Sequence, residues 1–309
     1  MIRFGYVSRD QLPERLQPSG RLPELSFAML AEFDDKLSAR DEVAIEIISR
    51  LDTSRTTYVR RHASLDDVIE EEIERNFKPT DAVRIHDAAV SNAITSVNLF
   101  EKVKSRSNIA LHASDHIVEL LAVTIPGSRW RVVFDAKKRP LQFVGRRMVL
   151  PASNRRPPRG YPINRLIRQI LRLTVLPQAR RHLERAETSP SDNIERIGTF
   201  HPRAVALARR DSRFSLGWAD MNVPLAGPFE IVRAMNVFFS ATPKQVEDAL
   251  QGICAPLVEG GLLVVGQNLL STDENLTTIF KRQGRQLIPL RDIAGGARAR
   301  EVALGLLLH

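Results

Sequence analysis

The sequence predicts an α/β protein built on a doubly wound, mostly parallel sheet with an antiparallel strand at its C-terminal end. Three observations carry that expectation. Phe229 to Val232, apolar but for Glu230, and Leu262 to Val265 are apolar runs, the pattern of strands buried on both faces. Between them Val246, Leu250, Ile253 and Leu257 recur at helical spacing, so the segment reads strand, helix, strand. A second alternation of the same kind starts at Val83. Sheets of this type bind ligands beyond the carboxyl ends of their strands, and one such end here is Arg233-Ala234-Met235-Asn236.

Taken in order, residues 1–80 read as a helical N-terminal region. Leu25 to Leu37 and Arg40 to Leu51 carry apolar residues at helical intervals. Ser64-Leu65-Asp66-Asp67 has the form of a capped helix start, and Pro79 ends the helix that follows. Val83 to His86 is the first strand, Asp87 to Ala93 a turn of small and polar residues, and Ile94 to Val103 a helix. Asn108 to Ala113 is a second strand that ends at Ser114-Asp115, with Ile117 to Leu121 opening another helix.

An insertion at about 126–190 then interrupts the pattern. Trp130 to Phe134 and Leu141 to Val144 read as a β-hairpin, and Arg155 to Pro162 as a proline-rich basic connector. A short helix follows from Asn164 to about Thr174, broken by Pro177. On its wheel Ile163, Leu166, Ile167, Ile170, Leu171 and Leu173 share one arc and Arg165, Arg168 and Arg172 the other. Ile194 to Phe200 resumes the parallel pattern, followed by a helix and a strand from Phe214 to Trp218 that reaches Asp220. The tail reads as a last pair of strands around Gly284 and the Gly295-Gly296 turn, with residues 301–308 as strand. Domain organisation is therefore expected as 1–80 and 81–309, the second carrying the insertion.

Composition narrows the function classes. At 309 residues, 43% hydrophobic and 26% charged, the chain has the make-up of a globular protein with a sizeable core. No apolar run nears the roughly 20 residues of a membrane-spanning helix, and the start has no signal-peptide pattern. A single cysteine, Cys254, excludes an internal disulfide, and the seven scattered histidines imply no metal. A cytoplasmic protein is the expectation. Net charge is +9, but residues 129–185 hold 16 Lys and Arg against two acids, a local +14 that leaves −5 (9 − 14) for the remainder. That basicity reads as a property of an insertion or a partner-facing surface rather than of the whole fold.

Candidate site residues stand at the strand ends. Asp115 and Asp220 are acids placed where doubly wound folds bind ribose-containing ligands, and Asp115 equally suits an N-cap. The turn Asp87 to Ala93 has the small side chains that let a ligand reach backbone N–H groups, and by composition it equally suits a plain structural turn. It holds no glycine, so a GxGxxG fingerprint is absent and a dinucleotide is disfavoured.

The segments DAAVSNA after a strand, ASD after the next, FEIVRAMNV, and PLVEGGLLVVGQ together resemble the class I S-adenosylmethionine-dependent methyltransferases. Within that Rossmann-like superfamily the likeness is to CheR-type enzymes and covers about Asp81 to Leu308. The resemblance implies S-adenosylmethionine as cofactor, in a site that includes Asp87. It places Ala88, Ala89, Ser91 and Ala93 along the methionine moiety, Asp115 at the ribose, Asp220 and Met221 at the adenine, and Asn236 near the sulfonium. Ala93 stands where the family has glycine, and Ile94 and Thr95 where CheR-type enzymes have an acid. A methyl transfer from a sulfonium is largely a matter of positioning, so no dedicated base need be visible. His86, His201, Arg233 and Asn236 are the side chains available to orient an acceptor, which is a small molecule or a protein. The alternative is a non-catalytic relative that uses its basic insertion to engage a partner. For that insertion Arg165, Arg168, Arg172, Arg180 and Arg181 suit an anionic partner or a membrane surface, with association peripheral to the bilayer. Sparse aromatics disfavour nucleic acid. A lid over the site, or a plain solvated helix, fits the same pattern.

Overall fold

The computed structural model describes residues 5–16, 24–51, 61–152, 162–186, 193–269 and 274–308. In chain order the elements are α1 (Ala39–Leu51), α2 (Ala63–Asn76), β1 (Val83–Ala88), α3 (Ile94–Val103), β2 (Ile109–Asp115), β3 (Glu119–Thr124), β4 (Arg131–Asp135), β5 (Pro140–Val144) and β6 (Val149–Pro151). They continue with α4 (Pro162–Ala186), β7 (Ile194–Gly198), α5 (Pro202–Arg210), β8 (Phe214–Trp218), β9 (Phe229–Met235), α6 (Pro243–Cys254), β10 (Leu257–Asn268), β11 (Asn275–Gln283), β12 (Gln286–Ile293) and α7 (Arg300–Leu304). Contacts divide them into two compact units, residues 1–56 with 117–202 and residues 57–116 with 203–309. The chain passes between the units near residues 56, 116 and 202.

The second unit holds the doubly wound sheet. Its seven strands run β12-β11-β10-β9-β1-β2-β8. β8, β2, β1, β9 and β10 are parallel, β11 is antiparallel to β10, and β12 is antiparallel to β11. This is the α/β class expected, with the antiparallel hairpin turning at Gly284 in a left-handed conformation (φ 60°) that suits glycine. Strands β1 and β9 are buried on both faces, polar residues such as Asp87 and Arg233 included. One face packs α6, whose Val246, Leu250 and Ile253 join Val232, Leu263, Val265 and Phe280 in one core. A capping box between Thr242 and Gln245 starts that helix, and Pro243 sits at its first turn, where a missing N–H costs nothing. Residues 300–304 form α7 and the rest of the tail is irregular, so the strand expected there is replaced by a helix.

The first unit is a five-stranded sheet, β6-β5-β4-β3-β7, with every neighbouring pair antiparallel. Three expectations are corrected here. The segment after Ile117 is strand β3, not a helix, because Leu120, Ala122 and Val123 are buried across a sheet. Strand β7 pairs antiparallel with β3 and does not resume the parallel sheet. Phe27–Glu32 is a 3-10 helix, where a longer α-helix was expected over 25–37. The expected hairpin is present as β4 and β5. Its core joins Phe27, Met29, Ile45 and Ile48 of the N-terminal region to Ile117, Ala122, Val133 and Ile197.

Helix α4 departs most from expectation. It runs unbroken for 25 residues with Pro177 inside it, and its buried face is Asn164, Arg168, Leu171, Val175, Ala179 and Leu183. The expected apolar arc is largely turned outward, and Arg168 of the arginine arc is buried. Arg172 donates to the Ala152 carbonyl at 3.2 Å, tying the helix to the end of β6. The basic connector 155–161 lies outside the described residues. Among the described residues no helix is long and apolar enough to cross a membrane.

Candidate functional site

In the second unit the carboxyl ends of β1, β2 and β9 converge in register, with Asp87 beside Arg233, Ala88 between Ala234 and Ser114, and Asp115 beside Trp218. After β1 the chain turns through residues 89–93 into α3. Ala89, Ser91 and Ala93 all have positive φ (56°, 60° and 64°), the left-handed region that glycine enters freely and other residues enter at a cost of roughly 1–2 kcal/mol each. Asp115 pins this turn from the next strand, its Oδ2 accepting the Ser91 N–H at 2.7 Å. Its other oxygen lies 3.2 Å from His116 Nδ1. The Val90 N–H donates to the Ser114 carbonyl, a second tie between turn and strand. Ala89 and Ser91 are half-buried, whereas Asp87, Ala88, Ala93 and Asp115 are buried. The Ala93 methyl therefore packs into the protein.

Beneath the turn is an ionic cluster. Arg233 is fully buried and its guanidinium reaches two carboxylates. Nε donates to Asp87 Oδ1 at 2.9 Å and Nη1 to Asp66 Oδ1 at 2.8 Å. Asp87 Oδ2 also accepts the Ser96 hydroxyl at 2.6 Å. Burial alone would lower the guanidinium pKa, but the carboxylates of Asp87 and Asp66 raise it above its ordinary value. One cation thus faces two buried anions, and the acid with fewer hydrogen bonds takes the deficit. Burial pushes the Asp66 carboxyl up to about 7, with Arg233 opposing and Asp87 reinforcing the shift.

A polar chain extends from this cluster to β10 and β11. Asn236, left-handed at φ 62°, accepts the Asn268 N–H on Oδ1 at 2.7 Å. That bond turns its Nδ2 toward His62 Nε2, 3.4 Å away. On the other side of the ring His62 Nδ1 lies 2.7 Å from Asn275 Oδ1, an acceptor, so Nδ1 carries the proton and Nε2 presents a lone pair. Burial, then the charge of Arg233, holds the imidazole down to about 3, so it stays neutral.

Of the residues the sequence singled out, Asp87, Ala88, Ala89, Ser91, Ala93, Asp115, Arg233 and Asn236 do gather at this edge. Arg233, a candidate for orienting an acceptor, directs its hydrogen bonds to Asp66 and Asp87. His86 lies within β1, buried against Phe229, with Nε2 2.8 Å from Ser114 Oγ, and burial then His112 lower it to about 4. His201 belongs to the first unit, where Nε2 lies 3.0 Å from Glu42 Oε2. Neither histidine is at the strand ends. Asp220 and Met221 are half-buried in the link from β8 to β9, where the Asp220 carboxylate accepts the Asn222 N–H at 3.0 Å. Sequence reasoning missed His62, Asn268 and Asn275, and took Asp66 for part of a helix start. Ser64 lies inside α2 and His62 occupies the N-cap position.

Among the described residues no group of three or more His, Cys, Asp or Glu is placed to hold a metal ion. A cleft of about 380 Å3 lies at the opposite, amino end of β9 and β10, lined by Pro224, Leu225, Pro228, Pro256 and Leu257 among others. Its lining carries no titratable side chain.

No known protein-family model matches the sequence, and no curated protein matches it. Solved structures similar to the chain include the S-adenosylmethionine-dependent methyltransferase SibL in its apo form, at 12% identity and a TM-score of 0.33 over 79% of this chain. The chain spans 42% of the length of SibL. The sugar N-methyltransferase KedS8 from a Streptoalloteichus species matches at 10% identity and a TM-score of 0.33, over 80% of this chain and 76% of its own. DesVI of Streptomyces venezuelae matches at 9% identity and a TM-score of 0.34, over 86% of this chain and 89% of its own. At these values the likenesses assign neither ligand nor activity. The doubly wound class rests on the strand order and directions of the sheet itself.

Proposed function

We propose that the chain is an S-adenosylmethionine-dependent methyltransferase that acts on an oxygen or nitrogen atom of a small molecule. The observation that carries this reading is the pinned turn after β1. Three L-residues held left-handed at alternate positions are strained, and such strain persists where the surrounding structure over-determines it, often at ligand sites. Here the strained turn stands at the carboxyl ends of the central strands, where doubly wound sheets bind ligands.

The residues fit the cofactor in kind. Ala89 and Ser91 are small and partly exposed, so a ligand can approach their backbone. The Asp115 carboxylate is an acceptor suited to ribose hydroxyls, and in the same step it holds the turn. Asp220 and Met221 suit the adenine end and Asn236 the sulfonium end. Ala93 shapes the turn from within, its methyl buried. Asp87 acts with Arg233 as a brace that sets the spacing of β1 and β9. When bound, the sulfonium supplies the methyl group for an in-line displacement. This chain supplies position and exclusion of water, and an acceptor held at near-attack distance gains most of its rate from that. Asn236 can orient an acceptor only within limits, because its Oδ1 is committed to the Asn268 N–H.

Calorimetric titration with S-adenosylmethionine and S-adenosylhomocysteine tests the reading. Micromolar binding, on the order of −8 kcal/mol, is expected, and Asp115→Ala should weaken it tenfold or more, about 1.4 kcal/mol. No heat from either ligand on folded protein overturns the proposal and leaves a binding protein that retains the fold.

A further inference from the structure

We infer that the outward face of α4 is a docking surface for an anionic lipid bilayer. The inference stands apart from the proposed methyl transfer and rests on the orientation of one helix. Ile163, Leu166, Ile170 and Leu173 are 56%, 62%, 50% and 79% exposed, a set of large aliphatic side chains turned to solvent. At about 100° per residue they form one narrow stripe, which Pro177 continues, directly opposite the buried face centred on Arg168 and Val175. A globular helix ordinarily buries such a stripe, whereas this helix buries Leu171, Val175, Ala179 and Leu183 together with Asn164 and Arg168 and leaves the stripe outside.

The charge around the stripe selects the partner. Arg180 and Arg181 flank the line of the stripe toward the C-terminal end of the helix, where Glu184 also falls on it, and Arg165 lies on the flank of the helix about 120° from the centre of the stripe. All three arginines are exposed, and no ion pair engages them among the described residues. The first unit as a whole carries 25 Lys and Arg against 16 acids, and the second carries 20 against 20, so the entire net charge of +9 resides in the unit that bears α4. The spacing of the stripe, alternately three and four residues, also suits a helix–helix seam. A second copy would set the same arginines against one another, whereas anionic headgroups would neutralise them. Aliphatic side chains that enter the headgroup boundary, with arginines reaching to phosphates beside them, are the pattern of a helix lying in a membrane interface. The anionic leaflet adds roughly 1 kcal/mol per basic residue near the surface.

The test is co-flotation of the full chain with vesicles of phosphatidylcholine alone and of phosphatidylcholine mixed with the anionic lipid phosphatidylglycerol. Partition to the anionic vesicles only, weakened by salt, is expected. Leu166→Asp with Leu173→Asp should reduce it at least tenfold, and so should Arg165→Glu with Arg180→Glu and Arg181→Glu. These five side chains are exposed, so the variants should fold, and an unchanged circular-dichroism spectrum checks that. Absence of partition by the unmutated protein overturns the inference, as does partition that the folded variants retain. Light scattering that shows a dimer in buffer, dissociated by the two aspartates, overturns it in favour of a second copy.

Discussion

One guanidinium answers two carboxylates beneath the candidate site, and the proton that balances them belongs to Asp66. The sign of its effect follows from linkage. In the unfolded chain Asp66 ionises near its ordinary 3.8, and in the fold near 7. Between those values the folded state holds a proton that the unfolded state has lost, so this group's contribution is fully present below 3.8 and is lost as pH rises toward 7. His62 and His86, held down to about 3 and 4, act in the opposite sense, because the unfolded imidazoles charge first as pH falls below 6.5. The difference between the unmutated protein and Asp66→Asn isolates the aspartate. That variant should gain stability relative to the parent as pH rises from 4.5 to 7.5, measured by urea denaturation at each pH, and parallel curves would falsify the assignment. Removing the cation is harsher. Arg233→Met leaves two acids buried without a counter-charge and should cost about 3–5 kcal/mol. None of this was legible in the sequence, where Asp66 has the spacing of a helix cap and Arg233 stands at an open strand end. The partners lie 21 and 146 residues from Asp87 in sequence, and no periodicity encodes such a meeting. The turn was more legible. Asp87 to Ala93 is recognisable by its small side chains, and only its left-handed backbone needed the structure.

Elements with a strong local pattern were the readable ones. Helix α3 begins and ends where the sequence placed it, and β9 and α6 differ only at their ends. Segment 117–124 failed because a short apolar run fits either period, and its true neighbours, β4 and β7, are what make it a strand. Helix α4 failed for a related reason: the wheel showed two arcs but not which of them faces the sheet. Helix α6 supplies the prediction at this scale. Gly252 faces the link from β8 to β9, and a Cβ there would collide with the Met221 carbonyl oxygen. Backbone cannot yield as a side-chain tip does, so Gly252→Ala must displace the link that carries Asp220 and Met221. Overpacking of this kind costs typically 1–3 kcal/mol. If those two residues hold the adenine end, the variant should also lose affinity for S-adenosylhomocysteine while keeping its fold. Unchanged affinity in a destabilised variant would remove Asp220 and Met221 from the site.

At the scale of the molecule the chain visits each unit twice, crossing near residues 56, 116 and 202. Composition exposed only the basic stretch, because charge is a local property. The membership of residues 1–56 in the same unit was hidden, since Ile45 and Ile48 find their core partners Ile117 and Ile197 far along the chain. That division separates the two proposed activities. Every residue assigned to the cofactor lies in the neutral unit, and the outward face of α4 lies in the basic one. Mutations that add independently should then leave the other activity alone. Reversing Arg165, Arg180 and Arg181 should abolish vesicle partition and keep the affinity for S-adenosylhomocysteine within about twofold, under 0.5 kcal/mol. Asp115→Ala should do the reverse. A joint loss in either variant, with the fold intact, would refute that independence.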